Sequence, residues 1–379
     1  MSEAVIVEAV RTPIGRRNGA LSDRHPVELL AHTLNAAVER IGLDPERVDD
    51  VVGGCVSQTG EQGVNITRNA ILAAGWPESV PGTTVDRQCG SSQQALHFAA
   101  QAIMAGSQDI VVACGVESMS RIPMTATVAQ GPGFPFSPAI MRRYDNHMFN
   151  QGIGAEMIAE RWGLAREDVD AFSLESHRRA AAARDDGRFA REIVPVGDVT
   201  ADEGIRPDTS MEKLAGLKTA FKPDGVVTAG NSSQISDGAS ALVLMERATA
   251  ERLGMPIRAR IHEMAVVGSD PVIMLTGPIP ATQKVLARAR MTVGDIDFVE
   301  VNEAFAAVPL AWDREIGAGL EKVNVNGGAV ALGHPLGASG ARVMTTLLHV
   351  LEANGGRFGL QAICEGGGMA NATIVERLS

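Results

Sequence analysis

The chain has 379 residues, enough for two or three packed units and well beyond one small core. Hydrophobic residues make up 45% and charged residues 21%, ordinary proportions for a globular enzyme. The net charge of −11 supplies no overall positive field for phosphates, which excludes general nucleic-acid affinity but leaves room for a local basic patch that holds an anionic ligand.

The chain opens with a strand-like run, Ala4 to Val10, and a turn through Gly15. It lacks the cationic lead and long apolar stretch of a secretory signal. No later stretch approaches the ~18 apolar residues of a membrane span, and Glu376-Arg377-Leu378-Ser379 is no peroxisomal tripeptide, so the cytoplasm is the expected compartment. A second strand is expected over Asp49 to Cys55. Thr84-Val85-Asp86 then leads through a Gly/Ser turn into a helix from Gln93 to Ala105, and Asp109 to Glu117 reads as another strand.

Between Ser118 and about Thr228 the alternation breaks. The stretch holds turn-rich Gly131-Pro132-Gly133-Phe134-Pro135 and a charged helical segment, Ala165 to Arg188. Asp170, Glu175, Arg178 and Arg179 are expected on its solvated face. From Ile257 the earlier order returns: a strand over Ile257 to Glu263, another over Asp297 to Asn302, Val323 to Asn326, glycine-rich Gly327 to Gly340, a helix ending near Gly355, and Gly359 to Gly368. Repetition in the same order predicts two similar α/β halves, 1–256 with an inserted loop domain about 118–228, and 257–379.

Four cysteines in so long a chain make a poor disulfide framework, and no pair has zinc-ligand spacing, so no metal site is expected. Cys55 and Cys114 read as buried reduced thiols. Cys89 follows a strand and precedes a helix, where unpaired N–H groups favour a thiolate; it is either a nucleophile or a buried cysteine at a helix start. His334 sits among Gly327, Gly328, Gly333, Gly337 and Gly340 and precedes Pro335. A loop imidazole there either takes a thiol proton near neutral pH or is a turn histidine satisfied by backbone. Asn302, at a strand end, is a candidate to polarise a carbonyl or hold a water. Cys364 meets three glycines whose N–H groups are the material of an oxyanion hole. One thiol as nucleophile and another as carbon acid/base is an uncommon pairing.

Six tracts together carry a resemblance. They are Val7 to Gly15 (VEAVRTPIG), Arg87 to Ser91 (RQCGS), Gly225 to Gly238 (GVVTAGNSSQISDG), Val301 to Phe305 (VNEAF), Asn324 to Gly340 (NVNGGAVALGHPLGASG) and Cys364 to Gly368 (CEGGG). Over essentially its whole length the chain resembles a thiolase, an acyl-CoA:acetyl-CoA C-acyltransferase. The resemblance implies two halves, each built on a five-stranded mixed sheet, stacked with helices between and around them, and a homodimer or homotetramer. It implies Cys89 as the acylated nucleophile, His334 as its activator and Cys364 as the acid/base at the acetyl-CoA methyl carbon. Asn302 and His334 would stabilise one thioester oxyanion, the N–H groups of Cys89 and Gly366 the other. Ser233 would touch the pantetheine arm and Arg206 the nucleotide end of coenzyme A, which is expected as substrate with no permanently bound cofactor.

Arg87-Gln88-Cys89, Ser232 to Asp237 and Gln151-Gly152-Ile153 are similar to the degradative branch, which implies thiolytic cleavage of 3-ketoacyl-CoA with broad or bulky chains, steroid side chains included. Condensation of two acetyl-CoA and a non-catalytic CoA or lipid carrier are the alternatives; the full reactive set argues against the carrier. Ser92, Leu275, Glu365 and Asn371 depart from the family pattern, and Glu365 would raise the pKa of a neighbouring thiol.

Overall fold

The computed structural model describes residues 2–129 and 131–378. β-Branched runs become strands: β1 (Ala4–Arg11), the short β2 (Gly15–Arg16), β3 (Asp50–Gly54), β4 (Gly82–Val85), β5 (Ile110–Ser118), β6 (Ser236–Glu246), β7 (Ala259–Gly268), β8 (Phe298–Val301), β9 (Phe358–Glu365) and β10 (Met369–Arg377). The order is β4-β3-β5-β6-β1-β7-β10-β9-β8, with β2 beside β6. β3 runs parallel to β4 and β5, and β8 parallel to β9; the remaining ladders are antiparallel. β1 and β7 meet only at Val5↔Arg260 and Ile6↔Ala259. Outward from that seam the order is β1-β6-β5-β3-β4 on one side and β7-β10-β9-β8 on the other. Val323 bridges in parallel to Val299 where β4 has its counterpart. The repeated motif order in the sequence therefore corresponds to a repeated strand order, and the two five-membered sets join edge to edge.

Helices fill three layers. α1 (Pro26–Glu39) and α2 (Ile66–Ala73) cover the outer face of the first set, where Leu30 and Leu34 pack with Val51, Val112 and Val243. α3 (Ser91–Met104) lies on the inner face. The inserted segment carries α4 (Ala126–Ala129), α5 (Pro138–Arg143), α6 (Gln151–Arg161), α7 (Arg166–Asp185) and α8 (Met211–Ala215). α9 (Arg247–Arg252) leads into β7. α10 (Pro278–Ala289) covers the outer face of the second set, and α11 (Ala307–Ile316) sends Trp312 into the same core. The one-turn α12 (Ala329–Leu332) precedes α13 (Ser339–Asn354), which packs on α3. Leu96, Ala99 and Ile103 of α3 meet Met344, Leu347 and Leu351 of α13, with Leu242 and Val375 from the two strand sets. Each buried Leu, Ile, Met or Val among them contributes roughly 1.5–3 kcal/mol. The helices cross closely because Gly340 has no side chain: a Cβ there would stand 2.0 Å from the backbone N of Gln93.

The charged segment forms α7, but it is not the solvated face the sequence suggests. Asp170 is 1% exposed and accepts from Arg166 Nε at 2.7 Å and Asn231 Nδ2 at 2.8 Å. Glu175 does lie at the surface between Arg178 and Arg179, while Arg179 also reaches the carbonyls of Leu320 and Val323. α7 is laid over the second half, so polar residues at helical spacing bond to loops that a local charge count does not see. No described helix is long and apolar enough to cross a membrane.

Candidate active site

Cys89 stands between β4 and α3, in a turn that forces Gln88 into the left-handed region at φ 49°. A non-glycine residue there costs of order 1–3 kcal/mol and persists only when over-determined by its surroundings. Three bonds hold it: Gln88 N–H donates to Asp86 Oδ1 at 2.7 Å, Ser91 Oγ donates to the Gln88 carbonyl at 2.6 Å, and Gly90 N–H donates to Arg87 O at 3.1 Å. The thiol is buried beside Leu336, Val343 and Ile363. Burial first, then the charge of Glu365, pushes it up to about 12, while the N–H groups of Cys89 itself and of Gly366 pull it down. Both N–H groups act on the sulfur from outside hydrogen-bonding geometry, and the thiol is protonated at rest.

His334 lies in the loop before α13, with its backbone N–H held by Ser236 Oγ at 3.1 Å. Its ring is fixed on both sides: Nδ1 is 2.6 Å from Ser339 Oγ and Nε2 is 3.3 Å from Asn302 Nδ2. Ser339 spends its own proton on the Pro335 carbonyl at 2.8 Å, so it accepts from Nδ1–H. With the Asn302 amide donating to Nε2, that nitrogen is the basic one. Burial, with help from the Arg342 charge, lowers the imidazole to about 3 and keeps it neutral. Asn302 is 2% exposed, its N–H bonds to Ala362 O of β9 at 3.0 Å, and its Oδ1 has no partner among the described residues.

Cys364 is 1% exposed near the end of β9. Its thiol is pushed well above the ordinary range by burial and next by the charge of Cys89, which places the two sulfurs in one electrostatic neighbourhood. The turn into β10 needs its glycines, since Gly367 and Gly368 have φ 80° and 74°. Cys55 and Cys114 are buried free thiols outside this group.

Carboxylates the sequence reading did not single out hold the loops. Glu303, buried beside Asn302, accepts from Ser176 Oγ, Asn324 Nδ2 and Val330 N–H, pinning the strand end to the loop that carries His334. Glu117, at the end of β5, accepts from the N–H groups of Val56, Ser57 and Gly337 and from Gln62 Nε2. Glu303 and Ser339 lie within the tracts Val301 to Phe305 and Asn324 to Gly340, and Ser339 bonds locally to His334 and Pro335; Glu117 gives no local signal, because its partners Gln62 and Gly337 lie elsewhere in the fold. Three departures from the family pattern gather near α3. Ser92 accepts from Ala341 N–H, Asn371 Nδ2 meets Gln94 and His97, and Glu365 covers Gly90. Leu275 instead packs in the apolar cluster that contains Cys364 and Phe305.

Ser233 and Arg206 line one cleft of about 510 Å³, together with Arg16, Arg17 and Ile235. Ile235 also packs against the cluster that holds Cys89, so the cleft runs toward that thiol. Arg206 is exposed at its mouth and Ser233 is half-buried within. A wider cleft of about 730 Å³, lined by Arg40, Arg258 and His349, contains none of the expected site residues.

Two thiols, a neutral imidazole with a defined basic nitrogen, an amide and two nearby N–H groups are the components that cysteine-dependent acyl transfer uses, gathered on an α/β scaffold. The chain belongs to the thiolase family and is an acyltransferase: residues 4–248 match the family model for the thiolase N-terminal domain and residues 255–377 that for the C-terminal domain. It is 51% identical over 388 residues to the steroid 3-ketoacyl-CoA thiolase FadA6 of Mycobacterium tuberculosis, covering 100% of this chain and 95% of that protein. It is 47% identical over 393 residues to the 3-ketoacyl-CoA thiolase of Shewanella denitrificans, covering both completely. The crystal structure of the Bacillus anthracis acetyl-CoA acetyltransferase superposes with a TM-score of 0.92 at 40% identity, covering 100% of this chain and 99% of that one.

Proposed function

We propose that this chain cleaves 3-ketoacyl-CoA with coenzyme A through an acyl-Cys89 intermediate, in the degradation of fatty acids or steroid side chains. The observation that carries the reading is a buried thiol at the head of α3 that shares its field with a second buried thiol, Cys364, beside a histidine ring held on both nitrogens. Cys89 passes its proton to His334 Nε2 and attacks the C3 carbonyl. The oxyanion at C3 sits between the Cys89 and Gly366 N–H groups. Its collapse breaks the C2–C3 bond, and the departing enolate, stabilised at its thioester oxygen by Asn302 through a water and by His334, takes a proton from Cys364 at C2. Acetyl-CoA leaves. The Cys364 thiolate then removes the thiol proton of incoming coenzyme A, whose sulfur attacks the acyl-Cys89 carbonyl. The released Cys89 sulfur recovers its proton from His334. Coenzyme A enters by the cleft of Ser233 and Arg206 and is a substrate.

The test is thiolysis of 3-ketoacyl-CoAs of increasing chain length, read as loss of the magnesium-enolate absorbance. No cleavage at any length by folded protein sinks the proposal. Cys89→Ala should abolish acyl-enzyme formation. Cys364→Ala should still accept an acyl group yet fail to exchange the acetyl methyl proton. A second reading, condensation of two acetyl-CoA, is favoured by the name of the Bacillus anthracis relative. An enzyme confined to acetoacetyl-CoA in the same assay would have that role.

We place the protein in the cytoplasm as a homodimer or homotetramer, with halves dividing at residue 256. The outer edge of β4 has no strand partner among the described residues, and Val64 nearby is 91% exposed, which supports assembly with a second copy.

A further inference from the structure

Glu365 ends β9 immediately after Cys364, and its carboxyl group is folded over Gly90 at the head of α3. A Cβ at position 90 would stand 1.9 Å from Glu365 Oε1 and 2.7 Å from Cδ, so the absent side chain of Gly90 is the space the carboxyl occupies. Glu365 is 0% exposed, and neither oxygen has a hydrogen-bond partner among the described residues. Buried carboxyl groups are ordinarily paired, and one left unpaired holds its proton rather than its charge.

The surroundings are few. Asp86, Arg87 and Cys89 face it from the turn before α3, Cys364 from its own strand, and the Asn371 N–H from β10, outside hydrogen-bonding geometry. Behind Asn371 stands His97, neutral because burial holds it at about 3. Arg87 is the cation that acts on the carboxyl, yet it makes no ion pair with it; its Nη1 lies 3.8 Å from the Met369 sulfur. Burial outweighs Arg87 and raises the carboxyl to about 8.

Two acidic groups, the Cys89 thiol and the Glu365 carboxyl, face each other at the head of α3, where the helix dipole favours one negative charge and a second opposes it. We propose that Glu365 is a positioning residue that serves Cys89 as a neutral acid, reserving the head of α3 for the negative charge that develops on the nucleophile, and that its ionisation switches acylation off. Because His334 is already neutral through this range, the imidazole cannot be the source of an alkaline decline.

The proposal rests on Cys89 being the acylated residue, and the experiment separates the two. The rate of acetyl-Cys89 formation from acetyl-CoA is measured by rapid quench from pH 5.5 to 9.5, a half-reaction that needs no ionisation of free coenzyme A. The wild type should hold a plateau to about pH 7.5 and then lose roughly tenfold per pH unit once a single group has ionised. Glu365→Gln should show no decline to pH 9.5, whatever the height of its plateau. Glu365→Ile, a second neutral replacement, serves if the glutamine variant does not fold. A decline with the same midpoint in the neutral variants overturns the proposal, as does a folded glutamine variant that never acylates while Glu365→Asp does. If the wild type itself never acylates, the functional reading fails first. Iodoacetamide labelling of Cys89 at pH 9 then decides the present point: labelling about tenfold faster in Glu365→Gln supports it, and equal labelling overturns it.

Discussion

The Ser339 hydroxyl decides which nitrogen of His334 is a base. Without an acceptor at Nδ1 the ring is free to turn or to change tautomer, and Nε2 loses its fixed direction. Ser339→Ala should therefore lower kcat by about 10–100-fold with KM for acyl-CoA little changed. Steady-state kinetics beside a thermal melt check this, since a purely structural defect would appear in the melt. The depressed imidazole also fixes the acid side of the profile. A histidine at about 3 stays neutral down to that pH, so acylation should persist well below 6.5, where an unperturbed imidazole would fail. A half-maximal rate near pH 6.5 would contradict that environment.

At the scale of elements, α3 follows Cys89, α13 follows His334, and the two helices pack directly on each other. Gly340→Ala would drive a methyl group into the backbone of Gln93 and should cost about 1–3 kcal/mol, read as a lowered denaturation midpoint. Gly90→Ala should displace the Glu365 carboxyl, so a double-mutant cycle with Glu365→Ala should show strong coupling, the alanine at 90 being far better tolerated once Glu365 is gone. The sequence made the turn of Cys89 legible because strand, glycine and helix are local signals. The repeat was legible because β-branched runs recur in order. What stayed hidden is non-local. Asp170 reads as solvated until Asn231, 61 positions away, is seen to hold it. Glu117 reads as the last residue of a strand until Gly337, 220 positions away, donates to it. The emptiness around Glu365 follows from packing rather than from any pattern, so its sequence position showed only that it was close to Cys364.

Over the whole molecule, burial bends stability with pH in two opposed directions. His97, His177 and His334 stay neutral to about 3, 4 and 3 in the folded chain, whereas unfolded histidine takes up a proton near 6.5. Stability should fall as pH drops from about 6.5 toward 4. Glu300 and Glu365, raised to about 8, keep protons that unfolded glutamate releases near 4.5, so their contribution is full below about 4.5 and is lost as pH rises through 8. Glu300→Gln should raise Tm relative to the wild type by an increment that grows from pH 5 to 8 and is constant above 9; a pH-independent increment would refute the assignment. The narrow seam between β1 and β7 has a further consequence. Cys89 comes from one side of it, and Asn302, His334 and Cys364 come from the other. On the mechanism proposed above, neither side of the seam holds a complete set. Mild denaturant that lets the halves slide past one another should abolish turnover while each side keeps its strands, and a gene fragment encoding either half alone would specify architecture without chemistry.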